Sequence, residues 1–212
     1  ISPNQTFEII LRFRDKKYSK TVLDIMMITS ILGGFGRRSR RGFGSIKVIK
    51  INPKPEIEIQ EINLENIKKI LNLILKKEIF IEENNELVQN NDNQSDTSES
   101  KAPNKKLVRQ DINQFNANFP FIKEIYLGRE HQNYNDLLLK IAQSAHNNDC
   151  EQTGFTRKGE RFASPIYVSI IKNKDKYHPI ITVLNPALNR EFNTNDKTEQ
   201  FIKEILFIGG KK

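Results

Sequence analysis

Apolar and polar positions alternate along this chain in two rhythms, one of period two and one of helical period. From Thr6 to Phe13 (TFEIILRF) β-forming residues dominate, and the pattern predicts a strand. Between Asp15 and Leu32 the apolar residues Val22, Leu23, Met26, Met27, Ile31 and Leu32 follow helical spacing, and Gly33 and Gly34 stop the helix as C-cap residues do. Ser45 to Ile51 (SIKVIKI) alternates apolar and basic residues, a second expected strand that carries Lys47 and Lys50 beside the sheet. Pro53 and Pro55 break it, and Glu56 to Ile59 resume it at an edge. Asn63 to Lys77 is an amphipathic helix with Leu64, Ile67, Ile70, Leu71, Ile74 and Leu75 on one face.

From Asn84 to Lys106 the chain turns polar, and little there repays the entropy of ordering, so residues 84–106 read as a disordered insertion. It divides the chain into portions 1–83 and 107–212. The second portion predicts a strand over Phe121–Leu127, a helix over Asn135–Asn147 and a strand over Ser164–Lys172. A turn at Asn173–Lys176 and a return strand through Pro179–Leu184 make a hairpin, and Thr198–Phe207 closes as a helix. Interleaved elements with an adjacent hairpin argue against an all-parallel sheet. The expected class is α+β: a ferredoxin-like antiparallel sheet with helices packed on one face.

Charge sharpens this picture. The 212 residues carry 34 Lys plus Arg against 26 Asp plus Glu, a net charge of +8, which favours a nucleic-acid or anionic-surface partner. An AT-rich coding bias explains abundant lysine but not clustered arginine. Yet five of the ten glycines and Arg37, Arg38, Arg40 and Arg41 lie between residues 33 and 44. In the run Gly33-Gly34-Phe35-Gly36-Arg37-Arg38-Ser39-Arg40-Arg41-Gly42-Phe43-Gly44, glycines permit close backbone approach to phosphates. Arginines add permanent charge and a planar fork, and Phe35 and Phe43 offer base-stacking faces or core anchors. The run is not a dinucleotide fingerprint, since it lacks the third glycine at its spacing and follows a helix. Nor does it hold the Gly-Lys-Ser/Thr of an NTPase phosphate loop. A solvated turn is the plainer alternative. A second basic cluster, Arg157, Lys158 and Arg161 before a strand, forms a positive groove if it lies near the first, and is otherwise a solvated loop.

No catalytic constellation emerges. His131, His146 and His178 are scattered, without zinc spacing, and no metal or cofactor is expected. Glu82 and Glu83 sit where acid pairs usually solvate, and Cys150 has no evident base partner. A single cysteine excludes an intramolecular disulfide and fits a reducing, cytoplasmic setting. The apolar stretch Val22–Leu32 is too short to span a bilayer, and no membrane partner is expected. Opening on Ile1 and almost at once on a strand, the chain reads as a fragment of a longer polypeptide.

The unit ILGGFGRRSRRGFGS resembles the glycine-rich loop of the RAMP superfamily, the RNA-binding proteins of CRISPR effector complexes. Its arginine-dense form after a Gly-Gly helix end, with RFASPIYVSIIK and YHPIITVLNP further on, is similar to the first Cmr subunit family of type III-B complexes. The resemblance implies a ferredoxin-like RAMP fold and an antiviral ribonucleoprotein role. It implies contact with CRISPR guide RNA and target RNA, and with other effector subunits, without cutting. The family loop maps onto Gly33–Ser45, with the four arginines as RNA contacts. Residues 84–106, and the missing strand and loop that this subunit type has upstream of Thr6, depart from the pattern. The rival expectation is a metal-independent RAMP endoribonuclease that processes CRISPR precursor RNA through His131, His146 or His178, an imidazole deprotonating a 2′-hydroxyl.

Overall fold

The computed structural model of the chain describes residues 5–52, 61–89, 104–112, 119–150, 153–154, 156–157, 160–161, 163–185 and 196–208. A 3-10 turn over Lys16–Tyr18, capped where the Asp15 carboxylate accepts from the Lys17 amide, leads into α1 (Ser19–Leu32). Then come α2 (Leu64–Leu75), β1 (Phe80–Asn84), the single turn α3 (Glu86–Gln89), β2 (Lys105–Arg109) and β3 (Phe121–Leu127). The remainder is α4 (Tyr134–Asn147), the two-residue strands β4 (Thr156–Arg157) and β5 (Glu160–Arg161), the hairpin β6 (Ile166–Asn173) and β7 (Lys176–Asn185), and α5 (Asp196–Leu206).

Helix starts follow local chemistry. Asn63 and Asn133 are N-caps whose side-chain oxygens accept from backbone amides two or three residues on, so α2 and α4 begin within a residue of their expected positions. The β6–β7 turn closes through Lys174 in the left-handed region, at φ 53. These elements, and β3, lie where the periodicity put them.

Five strands form one antiparallel sheet in the order β1-β2-β3-β7-β6. The connection β3–α4–β6, with β7 inserted between its two strands, is of the split β–α–β kind, compatible with a ferredoxin-like unit. The chain is α+β, but its helices lie on both faces, where one covered face was expected. Strand alternation separates the two sides. Tyr126, Val168, Ile170, Ile181 and Val183 pack with α4 and α5, whereas Leu107, Ile125, Ile171 and Ile180 pack with α1 and α2. Each large side chain fully buried this way contributes about 1.5–3 kcal/mol.

Two expected strands are absent. Residues 6–13 and 45–51 carry no strand, because no ladder partner meets them among the described residues, and alternation alone does not hold a strand together. The resumption at 56–59 lies outside the described residues. Conversely, β1 and β2 pair across the segment expected to be disordered. Asn84 and residues 105–106 belong to this sheet, Glu86–Gln89 form α3, and 90–103 lie outside the described residues. Since α1, α2 and β1 share the sheet with β2, β3, β6 and β7, portions 1–83 and 107–212 build a common core.

At the end of β2, Arg109 Nε donates to Asp111 Oδ1 at 2.6 Å, with both side chains buried. That hydrogen bond chiefly holds the Asp111 carboxyl below its usual range. A carboxyl depressed on folding stabilises the protein above its unfolded pKa, and the contribution fades as pH falls through the folded value. Asp111→Asn is expected to cost roughly 1.5 kcal/mol at neutral pH, with the gap to wild type closing below about pH 4. Thermal melts between pH 2 and 7 measure this, and a gap independent of pH contradicts it.

Candidate nucleic-acid interface

The glycine- and arginine-rich run is a folded loop, not a flexible link. Helix α1 ends against the sheet because two buried hydroxyls satisfy its last carbonyls. Ser169 Oγ, on β6, donates to Ile31 O, and Thr182 Oγ1, on β7, donates to Leu32 O at 3.0 Å. The Gly33 amide adds a bond to Thr29 O at 3.1 Å. The chain then leaves the helix at a fixed point beside β6.

Backbone geometry and one side chain shape the loop from there. The Phe35 amide donates to Gly44 O at 3.0 Å, pinching the loop at its mouth. Gly36, Arg38, Gly42 and Gly44 take positive φ angles, of which only that at Arg38 is unusual for its residue type. A 3-10 turn at Ser39–Arg41 reverses the chain, and the Gly42 amide donates to Val168 O on β6 at 2.7 Å. Finally Ser45 Oγ bridges loop and strand, donating to Gly42 O and accepting from the Ile170 amide, each at 2.9 Å. Gly42 is needed here for space as well, since a Cβ would press on Leu138 and Ile170. The loop therefore covers part of the β6 edge.

The arginines fall into two groups. Arg41 turns inward: its Nη2 donates to Thr153 O, and its guanidinium lies over the Phe201 ring at 5.7 Å. Burial pulls its pKa below the ordinary arginine value, an effect that the nearby Asp149 carboxylate opposes. Its buried Nη1 finds no hydrogen-bond partner among the described residues. Arg40 is half-buried over Tyr167 at 4.8 Å. Arg37 and Arg38 stay exposed, Arg38 at 5.9 Å over Phe43. Phe43 is half-buried, whereas Phe35 is 37% exposed at the loop mouth. Lys47 is exposed just beyond it.

The turn that receives Arg41 is itself well tied. Thr153 is fully buried, its hydroxyl donating to Asn148 O at 2.7 Å and accepting from the Cys150 amide at 2.9 Å. Glu204 Oε2 accepts from Ser144 Oγ and Asn148 Nδ2, joining α4 to α5. Three residues past Thr153, the chain enters the β4–β5 pair, which contains Arg157 and Arg161; Lys158 lies outside the described residues. The second basic cluster thus follows closely in the chain on a turn bonded to the first. Ser45, Thr153, Tyr167 and Phe201, which hold the loop's shape or its arginines, carry no local sequence signal, because their partners are far along the chain.

The histidines are not brought into a shared site with the loop. His131 Nδ1 lies 2.8 Å from Asn133 O ahead of α4, His146 is exposed near the end of α4, and His178 Nδ1 faces Gly128 O at 3.3 Å. Among the described residues no helix is long and apolar enough to cross a membrane. Compared with known proteins, the chain matches no family profile and no curated sequence.

Proposed function

We propose that this chain is a non-catalytic RNA-binding subunit of a type III CRISPR RNA-guided effector complex, gripping guide or target RNA phosphates through the Gly33–Ser45 loop. The observation that supports the reading is the division of labour within the loop. Its backbone is stapled to β6, while Arg37 and Arg38 project into solvent from a rigid base. A preorganised base lowers the ordering cost of binding, and guanidinium forks suit phosphate oxygens. Arg40 and Lys47 add flanking charge, and Phe35 offers an exposed ring for a base. Base pairing between guide and target supplies sequence specificity, so the protein needs only backbone contacts.

The test is a salt series with a labelled single-stranded guide RNA, wild type against Arg37→Ala/Arg38→Ala. Each lost phosphate contact on a single strand lowers the log–log salt slope by about 0.7, so the double variant is expected to lose about 1.4. Affinity should fall roughly 10- to 100-fold. Unchanged affinity and slope in a folded variant would remove the loop from the RNA site.

A further inference from the structure

The segment 6–13 is anomalous for a protein surface. Phe7, Ile9 and Leu11 are 49%, 46% and 36% exposed, and Ile10 is 72% exposed. No backbone hydrogen bond links these residues to any other described residue. An apolar, β-forming stretch with an unpaired main chain is a template for another strand. On the odd-numbered side Phe7, Ile9 and Leu11 are less exposed than Ile10.

The side chains of the segment specify which strand fits. Laid antiparallel on an identical segment with Ile10 on the two-fold axis, Glu8 stands opposite Arg12 of the second copy, and Arg12 opposite its Glu8. On the other face Phe7 meets Phe13 and Ile9 meets Leu11, so one side is continuously apolar and the other is charge-matched. A slip of two residues sets Arg12 against Ile10 or Thr6, and a slip of one mixes the two faces.

We propose that residues 6–14 pair antiparallel with the same segment of a second copy of this chain, forming an isologous dimer centred on Ile10. The strand expected at Thr6–Phe13 is then formed between copies. Eight or nine paired residues a side make a small interface, so the dimer is weak, with a Kd of roughly micromolar order. The inference does not rest on RNA binding.

Sedimentation equilibrium of the full chain over a range of concentrations tests it. Ile10→Lys places two like charges on the axis and is expected to leave only monomer. Glu8→Arg and Arg12→Glu should each raise the Kd about tenfold, because two symmetry-related pairs become like-charged. The double exchange Glu8→Arg/Arg12→Glu keeps the net charge and restores wild-type association. Each variant should melt like wild type at monomeric dilution, since the segment forms no ladder with any other described residue. A protein that stays monomeric throughout overturns the proposal. So does a dimer indifferent to Ile10→Lys, or a double exchange that fails to restore association.

Discussion

Gly44→Ala should weaken RNA binding as severely as removing two arginines, roughly 10- to 100-fold, without changing a single charge. Gly44 sits at φ 73, and a Cβ there would collide with the carbonyl oxygen of Phe35. Relief requires parting the Phe35–Gly44 pinch that closes the loop mouth. The backbone strain alone is worth about 1–3 kcal/mol, confined to a peripheral loop, so the sheet and its two helix layers should remain. Far-UV circular dichroism would confirm that, while the RNA titration reads the loop. Gly36→Ala is the natural comparison: its φ of 90 is equally unsuited to alanine, but open space surrounds the position. A larger effect at Gly44 than at Gly36 assigns binding to loop shape. Equal and negligible effects would mean that charge alone matters and the folded geometry is incidental.

Arg41→Ala is expected to behave oppositely to Arg37→Ala. Truncating Arg41 leaves the Thr153 carbonyl without its guanidinium partner and uncovers the Phe201 ring. An unpaired acceptor costs about 1–3 kcal/mol and a lost cation–π contact about 0.5–1 more. At this chain length the melting temperature should drop by about 5–10 °C. Arg37→Ala, at an exposed position, should stay within about 0.5 kcal/mol of wild type while reducing RNA affinity. Paired melting and binding measurements on the two variants separate the roles. If Arg41→Ala melts like wild type, the inward arginine is not a fastening.

Much of the fold is legible where signals are local. Apolar periodicity announces α2 over Asn63–Lys77 and α4 over Asn135–Asn147, and the Asn173–Lys176 turn announces the hairpin. Strands β1 and β2 are hidden because FIEEN and KKLVR look like solvated polar chain. Their charges are satisfied across the sheet, Lys105 with Glu82 and Lys106 with Glu124, which is visible only once the strands pair. The mismatch at Thr6–Phe13 runs the other way: β-forming residues that meet no ladder partner among the described residues make no strand. Both covered faces are hidden for a related reason, since helical periodicity identifies an apolar stripe but not the side of the sheet it meets.

For the candidate site, the glycines and arginines are evident from their clustering. Their unequal roles are not, because the groups that distinguish Arg41 from Arg37 lie more than a hundred residues downstream. Nothing in RRSRR marks one arginine for the interior.

That separation in sequence has a consequence for the life of the chain. The hydroxyls that end α1, and the strand edge that shapes the loop, join positions 125 to 150 residues apart. Contacts of such long range form slowly and late, after large stretches of chain have been closed into loops. A nascent or half-folded polypeptide would carry all four loop arginines but not the scaffold that sets them. On the RNA-binding reading, recognition thus becomes a property of the finished molecule, and capture of RNA would serve as a report that the two ends of the chain have found each other.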